Sequence, residues 1–424
     1  VTRAQLRAAA RRILRAGLAA VEPGVLVRAH LRTNGETIRV AGVELKPRRL
    51  FVVSVGKAAL PMARAAHQVL GNRLTSAIVI SPRRAPSLPR TRTFVAGHPV
   101  PDRRGVRASR SVIELLTQAG RKDVVLLLLS GGASALMPAP LEGVTLQDKQ
   151  AVTRKLLRRG ANIAELNAVR KRLSRLKGGG FAGLAAPARV FTLALSDVPG
   201  DEAGTIGSGP TVIDSKAPSL ARAAVRKYLG NDAVPAGVKR ALERRERRGR
   251  GRDTSRIVII GSGTTFARAA GRQARALGFR VSVRPNLLQG EARACGPDLV
   301  RRFESFRRDG PACLIATGET VVRVRGKGKG GRNQELALAS IEALARAPRP
   351  TVLASLATDG KDGRSSAAGG MVDDRTARSA RTLGVPAPEA LARNDSFAAL
   401  RRLGGLLRGG PTQTNVADVT VILG

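Results

Sequence analysis

Short runs rich in Val, Ile and Leu recur along the chain, each closing on a glycine turn and giving way to an Ala/Arg-rich stretch of helical character. The pattern reads LFVVSVG into KAALPMARAAHQVL, DVVLLLLS into the turn from Gly131 to Ser134, RIVIIGSG into TTFARAAGRQARAL, and ACLIATGE ahead of a glycine-rich segment. A strand covered on both faces is apolar throughout instead of alternating, and a parallel neighbour needs a crossover long enough to hold a helix. These constraints predict an α/β protein in which helices cover both faces of a mostly parallel sheet. Open sheets of that kind bind ligands beyond the carboxyl ends of their strands, so the turns after these runs are where chemistry is expected.

A chain of 424 residues exceeds one simple core and predicts two larger domains or three smaller ones. The densest charge run, KRALERRERRGRGRDTS from Lys239 to Ser255, is read as the main junction, dividing the chain into 1–240 and 241–424, with helices in 1–45 allowed to pack on the second domain. The longest apolar runs fall far short of the roughly 20 residues that cross a bilayer, so no membrane span is expected. The Arg-rich N-terminus has the composition of a transit peptide but the apolar spacing of an amphipathic helix, and a structural helix in a cytoplasmic protein is the expectation. Cys295 and Cys313 lack a Cys or His at metal-ligand spacing and are read as reduced thiols.

Seventy-four Lys and Arg against 31 Asp and Glu give a formal charge of +43. Nucleic-acid binding and a general arginine bias over solvated helix faces compete for that charge. The basic residues are dispersed and aromatics are only 2% of the chain, too few rings for base stacking, so no specific nucleic-acid partner is expected. Nonspecific adhesion at low salt follows from the charge alone.

Several segments carry the residue types that phosphate chemistry needs. In GKGKGGRNQE, Gly326, Gly328, Gly330 and Gly331 permit close backbone approach, Asn333 begins a predicted helix, and Arg332 offers a planar fork of donors; the segment reads as a phosphate-binding loop, though not a Walker A loop. In SGGASALM, Ser130, Gly131, Gly132 and Ser134 follow an apolar strand, and in VGKAA Lys57 stands just beyond another. SDVPGDE places Asp197 and Asp201, and ATDGKDG places Asp359 and Asp362, after further strands, where carboxylates hold magnesium or orient a hydroxyl. A single Asp in such a place is more often a turn or cap residue, and it is the repeated placement at strand ends that favours the functional reading. His30, His67 and His98 form no metal-spaced cluster, no GxSxG elbow occurs, and GSGTTF lacks the third glycine of a dinucleotide fingerprint.

In one order along nearly the whole chain, GKAALPMA, GHPVPD, SGGASALM, the stretch from TLQDKQ to RLKGG, SDVPGD, SGPTV, QGEAR, GET, GGRNQE, TDGKDG, NDSF and GPTQTN resemble the class II glycerate kinases, which join a glycerate-kinase N-terminal region to a MOFRL C-terminal domain. The resemblance implies two three-layer α/β domains flanking a cleft, the N-terminal one with a Rossmann-like sheet, and an ATP- and Mg2+-dependent kinase that phosphorylates D-glycerate at its 2-hydroxyl. Lys57 and Arg332 match the lysine and arginine proposed as active-site residues of that family. Asp197 is the favoured metal or hydroxyl-orienting carboxylate, with Asp201 as a second metal ligand. The glycine turns and Asn333 are expected on phosphates, and Asp359, Asp362, Thr412 and Asn415 on the substrate. Lys57, the Ser130 turn and Arg332 are expected to meet around one anionic ligand, and a homodimer fits the same reading. Ala133, Arg172, Lys361 and Gln413 depart from the family strings, which leaves acceptor preference more open than reaction type. The competing readings are hydroxypyruvate reductase, a label carried by relatives of this family, and a polyanion-binding protein without catalysis.

Overall fold

A computed structural model describes residues 1–84, 86–230, 234–244, 254–410 and 412–424; most of the charge run read as the domain junction lies outside the described residues. Two compact units result, one of Pro23–Ile260 and one of Val1–Glu22 with Gly261–Gly424. The sequence expectation divided the chain at 240/241. The strand Ser255–Gly261 is hydrogen-bonded as the edge of the first unit's sheet, which carries that unit on to Ile260.

In the unit Pro23–Ile260 the sheet runs in the order Thr91–Val95, Ser76–Ser81, Leu50–Val55, Val124–Leu129, Arg189–Leu195, Ser255–Gly261. The first five strands are parallel to their neighbours. Numbered along the chain this is 3-2-1-4-5-6, the order of a dinucleotide-binding Rossmann sheet, whose direction of winding reverses between Leu50–Val55 and Val124–Leu129. Both of those strands are buried at every position, as their unbroken apolar sequences predict. Alternate side chains serve opposite faces: Val53, Val55, Ile78 and Ile80 pack with the helices Arg103–Thr117 and Gly180–Ala185, while Val79 packs with the helix Ala59–Leu70. The expected three layers are present.

The other unit departs from the parallel expectation. Its sheet, in the order Arg280–Leu288, Ala312–Gly318, Asp418–Leu423, Val352–Ala357, Ala367–Asp373, Leu406–Arg408, holds one parallel pair, and the remaining neighbours are antiparallel. The C-terminal strand inserts between Ala312–Gly318 and Val352–Ala357 and runs against both. The nine-residue link from Ala357 to Ala367 is too short for a helical crossover, so the strands it joins pair as a hairpin. On one face Leu314, Ala316, Leu353, Val372 and Ile422 pack with the helix Ala292–Phe306 and later helices. The other is covered by the N-terminal helix Arg3–Ala20 and the helix Gly263–Ala276, which touch so closely that a Cβ on Gly17 would lie 2.4 Å from the Phe266 ring. The amphipathic reading of the N-terminus is thus met by a helix capped by Thr2, with Leu6, Ala10, Ile13 and Leu14 buried.

Candidate active site

The winding reversal of the parallel sheet brings the first two sequence-predicted turns together. After Val55 the chain enters Gly56 at φ +131°, where a Cβ would fall 2.1 Å from Ser130 Oγ and 2.5 Å from its carbonyl. Only glycine lets the turns approach so closely. Hydrogen bonds lock them: the Lys57 amide donates to the Gly131 carbonyl at 2.9 Å, the Ala58 amide to Ser130 Oγ at 3.1 Å, and the Ser130 amide to the Val55 carbonyl at 3.0 Å. Ser130 is fully buried, so its hydroxyl positions the Lys57 turn. Gly132 stands at φ +87° with the His98 ring on one side and the Lys57 stem on the other, 2.9 Å and 3.6 Å from where a Cβ would be. Asp197, half-buried, lies just past the carboxyl end of Arg189–Leu195, and Asp201 follows in a left-handed conformation at φ +55°.

Ser134 is half-buried, and its hydroxyl lies 2.9 Å from Ser208 Oγ and accepts from the Lys177 ammonium at 2.7 Å. Burial, reinforced by Lys149 and Arg170, holds Lys177 well below the ordinary lysine range. Burial likewise lowers Lys149 to about 7.

In the other unit the glycine-rich segment is packed onto the NDSF turn. The amides of Arg325 and Gly326 donate to Asn394 Oδ1 at 2.7 and 2.9 Å, that of Gly328 to the Arg393 carbonyl at 3.0 Å, and that of Lys329 to Asp395 Oδ1 at 3.0 Å. These amides, read from the sequence as open to a polyanion, are engaged internally. Close approach explains the glycines: Cβ atoms on Gly328, Gly330 and Gly331 would fall 2.2 to 2.5 Å from Asp395, Ser396 and Asp362. The helix Arg332–Ala339 follows, and Asp362 supplies its anion, accepting from the Asn333 amide at 3.1 Å and the Gln334 amide at 2.8 Å. Expected on the substrate, Asp362 is 1% exposed and acts as a helix cap; burial raises its pKa although those hydrogen bonds oppose the rise. Asn333, expected on phosphate, is 1% exposed and is held by Asp362 and Ser355.

Arg332 is clamped by two carboxylates, Asp418 and Glu319. Burial works against its charge, but Asp418 and Glu319 outweigh burial and hold the guanidinium above its usual range. Burial pushes the Asp418 carboxyl up to about 6 despite Arg332. Gly318 and Ala357 both pair with Asp418, so Arg332 sits where two strands end and the C-terminal strand begins. Thr412 donates to the Thr358 carbonyl and Asp359 accepts from the Lys361 amide at 3.1 Å, which places both on loops at this edge; Asn415, half-buried, lies on the same Thr412 loop.

Sequence reasoning gave no role to His98, Lys149, Lys177, Ser208, Glu319 or Asp418. The strings GHPVPD, TLQDKQ, RLKGG, SGPTV and GET hold five of these and were the available signal; Asp418 carries none beyond being a polar residue in apolar surroundings. Among the described residues no group of three or more His, Cys, Asp or Glu side chains is placed to hold a metal, and no helix is long and apolar enough to cross a membrane.

Two family profiles match the chain, a domain of unknown function (DUF4147) over residues 9–243 and the MOFRL family over residues 312–418. The D-glycerate 2-kinase of Thermotoga maritima is 40% identical, with 88% of this chain and 90% of that protein aligned. A putative hydroxypyruvate reductase of Agrobacterium vitis is 38% identical over 88% of this chain and 99% of its own. A crystal structure of glycerate kinase from Thermotoga maritima superposes with a TM-score of 0.88 at 38% identity, covering 99% of both chains.

Proposed function

The chain belongs to the class II glycerate kinases, and from that premise we propose that it transfers a phosphoryl group from ATP to the 2-hydroxyl of D-glycerate, giving 2-phosphoglycerate and ADP. The observation that carries the reading is the Lys57 turn locked against the Ser130–Ser134 turn where the winding of a parallel sheet reverses, the place at which such sheets hold ligands. Phosphoryl transfer demands little covalent work from the protein and much alignment and charge neutralisation. Lys57 and Arg332 supply cationic charge for the moving group and the substrate anion, and Gly131, Gly132 and Ser134 line the turn that supports phosphates. Glu319 and Asp418 fix the Arg332 fork, so it need not be ordered during the reaction.

Asp197 and Asp201 offer oxygen ligands of the kind magnesium takes, one or two carboxylates with water and phosphate completing the octahedron, and would hold the ion that neutralises charge on the nucleotide phosphates. Asp359, Thr412 and Asn415 remain assigned to the acceptor, and a cytoplasmic location belongs to the same proposal. The first strand-to-helix turn, VGKAA, lacks the glycine fingerprint of dinucleotide binding, which favours the kinase over a reductase.

Incubating the protein with ATP, magnesium and D-glycerate and identifying the product by phosphorus NMR tests the proposal. The 2-phosphate is expected; NADH oxidation by hydroxypyruvate without phosphoglycerate formation would overturn it. Lys57→Ala and Arg332→Ala should each lower kcat/KM by a factor of about 10²–10³, the cost of removing one charge-stabilising donor. Values within a few-fold of wild type would remove both from the mechanism.

A further inference from the structure

The unit Pro23–Ile260 holds three cations behind the Ser134 turn, two buried lysines and the half-buried Arg170, and the mechanism above does not use them. Lys177 is 5% exposed and Lys149 7%. The Lys149 ammonium donates to the Leu173 carbonyl at 3.0 Å, and Arg170 reaches Asn167 Oδ1 at 3.4 Å. Among the described residues none of the three pairs with a carboxylate, and the charges acting on Lys177 are those of Lys149 and Arg170. Like charges gathered in a desolvated site without a counter-ion are unfavourable, and an anion arriving among them removes that cost.

The groups in front of the cluster are built for such an anion. Lys177, Ser134 Oγ and Ser208 Oγ form a chain with links of 2.7 and 2.9 Å, giving an ammonium and two hydroxyls that rotate to donate. Ser208 adopts φ +66° between Gly207 at +58° and Gly209 at +60°, a run that suits glycine at all three places, yet a hydroxyl is kept at the middle one. The carbonyls of Ser208 and Gly209 accept from the amides of Gly178 and Gly179 at 3.1 and 2.8 Å, so the loop is tied to the residues that follow Lys177. Ser134 is half-buried on the turn beyond Val124–Leu129, which gives a ligand a way in.

We propose that Lys177, Ser134 and Ser208 form a subsite for a substrate oxyanion, with Lys149 and Arg170 strengthening its positive field from behind. The carboxylate of the hydroxy acid and the phosphoryl group of the nucleotide share this chemistry. Naming those two ligands rests on the kinase reading; the oxyanion subsite itself does not.

Equilibrium binding by calorimetry tests it with wild type, Lys177→Met and Ser208→Gly against D-glycerate, ATP and inorganic phosphate, with glycerol as the neutral control. Methionine fills the volume of the lysine stem and glycine suits the backbone of position 208, so both variants should fold, as far-UV circular dichroism would verify. Lys177→Met should weaken at least one anion by about tenfold or more, and Ser208→Gly should weaken the same anion by a smaller factor. Loss confined to D-glycerate identifies the acceptor carboxylate, and loss confined to ATP and phosphate identifies the phosphoryl group. The proposal fails if wild type binds none of the anions, or if Lys177→Met binds all of them within twofold of wild type. If wild type binds phosphate but neither D-glycerate nor ATP, and Lys177→Met loses phosphate, the subsite stands and the kinase reading falls.

Discussion

Replacing Lys149 with methionine should stabilise the unit Pro23–Ile260, by an amount that shrinks as pH rises. Lysine in an unfolded chain titrates at 10.5, and burial lowers Lys149 to about 7 in the fold. Between those values the unfolded chain carries a proton that the folded protein lacks, so stability increases with pH across that window. Below about pH 7 both states are protonated and the full penalty applies. At 1.36 kcal/mol per pH unit it amounts to roughly 5 kcal/mol, and it fades by pH 10. Methionine leaves the Leu173 carbonyl without its 3.0 Å donor, at a cost of about 1–3 kcal/mol. The variant should therefore exceed wild type by roughly 2–4 kcal/mol near pH 6.5 and show little or no advantage at pH 9.5. Urea unfolding followed by far-UV circular dichroism at pH 6.5, 8 and 9.5 measures the gap. A gap that does not change with pH, or a variant less stable than wild type at pH 6.5, would refute the claim that a charged Lys149 is held against its burial.

Gly56→Ala should destabilise the same unit by roughly 2–6 kcal/mol, since a Cβ there meets Ser130 at 2.1 Å from a backbone at φ +131°, and a urea midpoint close to wild type would contradict the close approach of the two turns. Asp362→Ala strips the acceptor from the Asn333 and Gln334 amides in a buried setting and should cost about 1–3 kcal/mol in thermal unfolding; no measurable change would mean those donors find other partners. Because burial raises Asp418 to about 6, it loses its charge and its electrostatic hold on Arg332 as pH falls through that value, and kcat/KM should fall with it. Asp418→Asn should be impaired at every pH and lack this acid limb; an unchanged limb would assign it to another group.

The α/β class and the positions of the strands around Lys57 and Ser130 were readable because both faces of Leu50–Val55 and Val124–Leu129 are covered, which forces unbroken apolar sequence. The mixed direction of the second sheet was not, because Ala312–Gly318 is as apolar as a parallel strand and its antiparallel partner, Asp418–Leu423, lies about a hundred residues on. The glycine-rich segment shows a different limit. Gly328, Gly330 and Gly331 mark close approach, but composition does not say what approaches, and the answer is the protein's own Asp395, Ser396 and Asp362. A helix N-terminus attracts an anion whether it is a ligand phosphate or an internal carboxylate, and Asp362, twenty-nine residues from Asn333, takes that place.

The charge of +43 hides the residues that make the strongest electrostatic statement. Most of the 74 Lys and Arg side chains give little information singly, since a solvated cation costs and contributes little. Lys149 and Lys177 look the same in sequence, and only the fold shows them buried beside Arg170 with no carboxylate partner among the described residues. Folding free energy favours discarding such a pair, as the methionine replacement is designed to show. Their retention behind Ser134, at the carboxyl edge of a parallel sheet, is understandable if an anion compensates them during the working cycle. The stability gained by Lys149→Met and the affinity lost by Lys177→Met are therefore two consequences of one uncompensated positive field. Finding the first without the second would make the buried cations a cost with no ligand to explain it.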